Sequence, residues 1–176
     1  MSETHFDIVP LPGYPVEYGV LLATLEDSTC EWKGELEDVE PDLICWQPYP
    51  KAYSIGAVLL HIAEVEAYWI EEFSLGRKLS TEEVEQCMGA EIDQNAGSWP
   101  TPPREPLSYY YDILDRIRKR TLESVRSFEP PETVKGSRWG TMTLRWVLAH
   151  VVEHDSYHGG QAVMLKEIGK RLRIGA

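Results

Sequence analysis

Three histidines have types and spacing that point to chemistry: His154 and His158, four residues apart, and His61, far upstream. Setting Leu144 at zero on a helical wheel of about 100° per residue, the apolar Val147, Leu148, Val151, Ala162 and Leu165 fall in an arc from about 300° through zero to 40°. His154 lies near 280° and His158 near 320°, on or beside that stripe and about one turn apart. A lone buried histidine is ordinarily a hydrogen-bonded core residue. Two on adjacent turns would each need a separate partner. One shared metal ion satisfies both, and the i, i+4 spacing suits it. His61 borders the apolar face of a different helix and supplies a third ligand. Three histidines without cysteine leave an open coordination position and favour zinc, nickel, iron or manganese.

Other residues near this set have weaker signals. Gln161, near 260° on the same wheel, can orient a histidine. His150, Glu64 and Tyr157 are candidates for proton handling, against a purely structural role for each. His150-Val151-Val152-Glu153-His154 also reads H-x-x-E-H, the inverted zinc-protease pattern. Glu153 falls near 180°, away from the His154 and His158 side, so the match is taken as accidental. Gly159 and Gly160 follow His158 directly, although each glycine costs a helix about 1 kcal/mol relative to alanine. Because the apolar period resumes at Ala162, Leu165 and Ile168, close approach of another backbone or a ligand is the expected reason.

The elements that must hold these residues are helices. Apolar positions Val20, Leu21, Leu25, Trp32 and Leu36 give a helix from Tyr18 to about Val39. Pro41, Pro48 and Pro50 mark a connector. Ser54 is the expected N-cap of a second helix reaching Phe73 or Leu75, ended by Gly76. Residues 77–105 read as a long irregular surface loop with a short possible helix near Thr81 to Cys87. A third helix is predicted from Ser108 to Phe128. The fourth starts near Thr141 or Thr143 and runs to Leu172. No repeat, low-complexity tract or alternating strand is evident. The fold class is all-α, a four-helix bundle in one domain spanning 1–176.

Composition narrows the function classes. The formal net charge is −12, from 17 Lys+Arg against 29 Asp+Glu, which disfavours nucleic acid and anionic lipid. The one basic stretch, Arg116 to Arg120, sits beside Asp112, Asp115 and Glu123 and reads as a solvated helix face. His61 and Glu64 interrupt the best apolar run, so no membrane span is expected. Met1 to Pro10 carries acids without a basic-then-apolar leader, which implies a cytoplasmic protein. Cys30, Cys45 and Cys87 lack metal-ligand spacing and read as idle thiols of a reducing compartment.

The stretch TLRWVLAHVVEHDSYHGGQ resembles the closing motif of the DinB-like (YfiT-like) family of metal-dependent proteins, and SIGAVLLHIAEVEAYWI resembles its first histidine segment. The resemblance covers roughly Tyr18 to Gly169. It implies a four-helix bundle of the DinB/YfiT-like type, often a homodimer, with ligand histidines at His61, His154 and His158. It also implies thiol-dependent chemistry, S-transfer or isomerisation with a low-molecular-weight thiol such as bacillithiol or mycothiol. The role of His150 is not fixed by it.

Two functions follow as expectations. In the first, the ion lowers the pKa of a small thiol, which attacks an electrophile; water in that position would make a hydrolase. In the second, a non-catalytic metal-binding bundle acts through partners. A solvent-connected pocket at the metal favours catalysis of a small-molecule reaction, and a sealed metal favours scaffolding.

Overall fold

A computed structural model describes residues 6–88 and 98–174; His5 and the 89–97 part of the long connector lie outside the described residues. The chain is mostly helical. In order, it forms α1 (Val16–Glu35), α2 (Pro41–Ile44), α3 (Ile55–Ala67), a π-helical continuation (Tyr68–Phe73), α4 (Thr81–Met88), α5 (Leu107–Val125), strands β1 (Val134–Ser137) and β2 (Gly140–Thr143), and α6 (Leu144–Ile174). Helix α6 packs along α1 and α3, and α5 packs on α3.

The local signals explain most boundaries. Ser54 caps α3, its side chain accepting the Ala57 N–H at 3.3 Å. Thr143 caps α6, accepting the Trp146 N–H at 3.1 Å. Thr141 instead lies in β2, paired with Gly136. Gly76 ends the second long helix with φ +69°, the left-handed region open to glycine.

Four features differ from the sequence expectation. Pro41, expected only to break a helix, sits at the first position of α2, where its missing N–H and fixed φ are tolerated. The second long helix widens into a π-helical turn, and Ser74 Oγ donates to the Trp69 carbonyl at 2.7 Å. An antiparallel hairpin, too short to alternate visibly, precedes α6. Within 77–105 the short helix forms where expected, at Thr81–Met88, but Trp99 is 5% exposed rather than on the surface, held by its N–H to the Lys51 carbonyl at 3.0 Å.

The core is divided. One apolar cluster contains Trp32, Leu36, Ile44, Leu59, Ile62, Ile113 and Ala162. The other contains Tyr18, Leu22, Leu25, Trp69, Val125, Leu148 and Val151. On α1, α5 and α6 the buried Thr29, Asp155 and His158 and the half-buried Arg118 fall between the members of these two clusters along the helix. Asp155, 1% exposed, accepts from Trp32 Nε1 at 2.9 Å, Thr29 Oγ1 at 3.0 Å, Ser28 Oγ at 3.2 Å and Arg118 Nη2 at 3.3 Å. Arg118 also donates to both oxygens of buried Glu66, at 2.9 and 3.0 Å. Burial opposes the Arg118 charge, and Glu66 and Asp155 hold it positive. The same burial raises the Asp155 pKa against the pull of Arg118. This network joins α1, α3, α5 and α6 one residue from His154.

Gly159 has a different cause from the one expected. A Cβ there would overlap the Trp32 indole on α1, reaching 2.7 Å from Nε1 and closer to Cγ and Cδ1. The close approach is therefore a side chain, not a backbone or ligand. A Cβ on Gly160 would meet nothing within 4 Å, so packing imposes no glycine there.

Candidate metal centre

His61 comes from the middle of α3, and His154 and His158 from successive turns of α6, which packs against it. One nitrogen from each can be chosen so that all three lie within 4.8 Å of one another. The rings stand 4.8 Å (His61–His154), 4.9 Å (His61–His158) and 4.3 Å (His154–His158) apart between centroids. His61 and His158 are buried and His154 is half-buried.

The protonation pattern follows from surroundings. Burial, then the neighbouring histidines, pushes His154 down to about 2. Burial pushes His158 down to about 4, against its hydrogen bond to Gln161. Both are therefore neutral at pH 7 and retain lone pairs. His158 Nδ1 is 2.7 Å from Gln161 Oε1; an amide oxygen only accepts, so Nδ1 carries the proton and Nε2 is left as the free lone pair. Glu64 Oε2 lies 3.6 Å from His61 Nδ1 and is buried with no hydrogen bond of its own. A carboxylate on that side favours the Nδ1–H form of His61 and leaves Nε2 toward His154, 3.0 Å away.

These residues fit a divalent ion. Two nitrogens each about 2.05 Å from a tetrahedral ion stand about 3.3 Å apart, close to the His61–His154 separation. Two neutral imidazole nitrogens facing each other at 3.0 Å form an N–H···N bond only if one gives up its lone pair, whereas an ion uses both. The donor set is all nitrogen, borderline in softness, and suits zinc, nickel or iron.

The cluster opens onto a pocket of ≈ 610 Å³ lined by Val65, Trp69, Trp139 and, from α6, His150, Glu153, His154, Tyr157 and His158. A slightly larger hollow of ≈ 680 Å³, around Asp38, Pro41 and Lys170, lies away from the histidines. His150 stands outside the trio. Its ring stacks on Trp146 (5.0 Å, 5°) and meets Trp69 edge-on at 5.2 Å, and burial lowers its pKa. Tyr157 is exposed at the rim, its ring 4.9 Å from His158. Glu153, placed by the wheel on the far side, still borders this pocket. On the opposite side, Trp99 meets the His61 ring edge-on at 5.3 Å. Cys30 and Cys45 are free thiols outside the cluster; the Cys87 side chain lies outside the described residues.

Sequence reasoning did not find the Asp155–Arg118–Glu66 network, Trp99, or the wall built by Trp69 and Trp139 and backed by Trp146. Asp155 had a signal: a carboxylate one residue past His154, at about 20° on the wheel, inside the apolar arc. The three tryptophans come from separate elements, and no local period links them.

A sequence model of the mycothiol S-transferase family matches residues 20–169. The chain belongs to that family, part of the DinB/YfiT-like metal-dependent superfamily. It is also similar to the uncharacterized protein YkkA of Bacillus subtilis (strain 168), 23% identical over 124 residues, covering 67% of each chain. Among the described residues, no helix is long and apolar enough to cross a membrane.

Proposed function

We propose that the protein is a metal-dependent S-transferase that joins a small thiol to an electrophile at the His61, His154 and His158 centre. The observation that carries this reading is a pocket from solvent that ends on a three-histidine cluster able to hold an ion. Family membership supports the thiol as nucleophile. In this reading the chain is one metal-binding domain, its four long helices form a four-helix bundle, and it works as a cytoplasmic homodimer.

His61, His154 and His158 would hold the ion through neutral nitrogens, which do not cancel its charge. Bound there, it would supply the positive charge that lowers the pKa of a thiol. Gln161 fixes the His158 tautomer, and Glu64 orients His61 rather than handling substrate protons. His150, neutral and on the pocket wall, is the base that takes the thiol proton. Trp69, Trp139 and Val65 exclude water while the new S–C bond forms and the leaving group departs with its electron pair.

The test follows thiol loss against monochlorobimane with apo, zinc-loaded and nickel-loaded protein and a panel of cellular thiols. Transfer should need metal, vanish in His154→Ala, and survive replacement of Cys30, Cys45 and Cys87 by Ser. If no metal form exceeds the buffer rate with any thiol, the transferase reading is wrong and a hydrolase or non-catalytic metal bundle takes its place.

A further inference from the structure

The pocket wall contains more aromatic surface than holding an ion requires. Trp69 comes from the π-helical turn and Trp139 from the two-residue turn of the hairpin, while Trp146, from the first turn of α6, backs the wall by packing on Trp69 and His150. They converge: Trp69 stands 6.0 Å from Trp139 at 43° and 6.0 Å from Trp146 at 76°. Trp139 nevertheless remains 56% exposed and Trp146 44%. Single exposed apolar residues are unremarkable, but several gathered around one opening mark a binding surface.

The turn also supports the Trp139 ring in place. Arg138 lies over it at 4.5 Å, covering part of one face. The hairpin is tied down by the Leu144 N–H to the Thr133 carbonyl and the Arg145 N–H to the Pro131 carbonyl, both at 2.9 Å. Among the described residues lining the pocket, Glu153 is the one acid and there is no lysine or arginine. At its margin the Arg138 guanidinium on Trp139 and the Glu153 carboxylate offset one another, so the wall favours a ligand without net charge. Its volume accommodates a molecule of one or two rings beside the histidines.

We propose that this wall, with Trp139 as its outer leaf, is the subsite for the second substrate, and that it selects an uncharged planar aromatic molecule stacked on indole. The name electrophile rests on the transferase reading; the binding preference does not. Indoles are electron-rich, so an electron-poor arene is the favoured stacking partner.

The experiment is a ligand-observed NMR titration of metal-stripped protein, without thiol, using three probes. 1,3-Dinitrobenzene is flat and neutral, 3,5-dinitrobenzoate adds a negative charge to the same ring, and nitrocyclohexane is neutral but not flat. Dinitrobenzene should bind about tenfold more tightly than either of the others. Trp139→Ala should weaken it by about five- to tenfold, the range for one lost stacking contact, and Trp139→Phe should stay within about threefold of the unmodified protein. The selectivity comparison needs no variant, so it decides the matter even if Trp139→Ala disturbs the hairpin. Equal affinity for the three probes, no saturation below about 10 mM, or a folded Trp139→Ala protein with unchanged affinity each overturns the proposal. If thiol transfer fails while this titration holds, the transferase reading falls alone. If transfer works and arene binding does not saturate, this inference falls alone.

Discussion

Replacing Gly159 and Gly160 by alanine, one at a time, should move stability in opposite directions. On helix propensity alone both changes stabilise by about 1 kcal/mol, since glycine is the weaker helix former. Gly160→Ala receives that gain in full, because its new methyl meets nothing within 4 Å. The Gly159 methyl would instead occupy space held by the Trp32 indole. Overpacking of this kind costs about 1–3 kcal/mol. Moving the indole also breaks the 2.9 Å bond from Trp32 Nε1 to Asp155, about 1.5–3 kcal/mol for a charged acceptor in a buried site. The net expectation for Gly159→Ala is a loss of about 2–5 kcal/mol, which lowers Tm by about 4–20 °C in a chain of this size. Gly160→Ala should raise Tm by about 2–4 °C.

Urea unfolding followed by circular dichroism measures both changes, and a double-mutant cycle with Trp32→Ala isolates the cause. Removing the whole ring, Cγ and Cδ1 included, leaves room for the methyl, so Gly159→Ala should cost less than about 1 kcal/mol in the Trp32→Ala background. A Gly159→Ala protein as stable as the unmodified one refutes the packing argument. So does a cost undiminished by Trp32→Ala.

Arg118→Met should destabilise by about 3–5 kcal/mol in urea unfolding, because it leaves Glu66 and Asp155 buried without their cation; a cost under about 1 kcal/mol would contradict the network. Gln161→Ala and Glu64→Gln should each weaken zinc binding about 10- to 100-fold in a competition assay with a chromophoric chelator, whereas His150→Ala should leave affinity within a few fold. Burial raises Tyr18 and Tyr111 to about 12. These folded values stand above the unfolded value near 10, so stability is undiminished below about pH 10 and falls as pH rises toward 12, by about 1.4 kcal/mol per pH unit for each phenol. Absorbance at 295 nm should show both ionising near pH 12 in the folded protein and near 10 in urea.

What was legible in the sequence, and what was not, divides by the range of the interaction. His154 and His158 share a face of one helix, and their relation follows from 3.6 residues per turn. Ser54 as a cap and Gly76 as a stop are equally local, fixed by a backbone bond within a few residues. His61 could be assigned only as the sole histidine in a second periodic segment; its distance from His154 depends on how α3 packs on α6. The π-helical turn opens at Tyr68, and its stabilising bond, from Ser74 to the Trp69 carbonyl, carries no pattern visible beforehand. Asp155 is the instructive omission. A carboxylate inside an apolar arc has to be paired, and the arc was already drawn for the histidines. Its partners Ser28, Thr29, Trp32 and Arg118 come from α1 and α5, so the requirement was local and its solution was not. The same distinction applies to the site as a whole. The candidate ligands His154 and His158 obey helix periodicity because coordination of one ion would demand fixed spacing, while the tryptophans beside the pocket are gathered by tertiary packing. Periodicity therefore finds a candidate metal centre early, and what enters beside it must be read from the surface around Trp139.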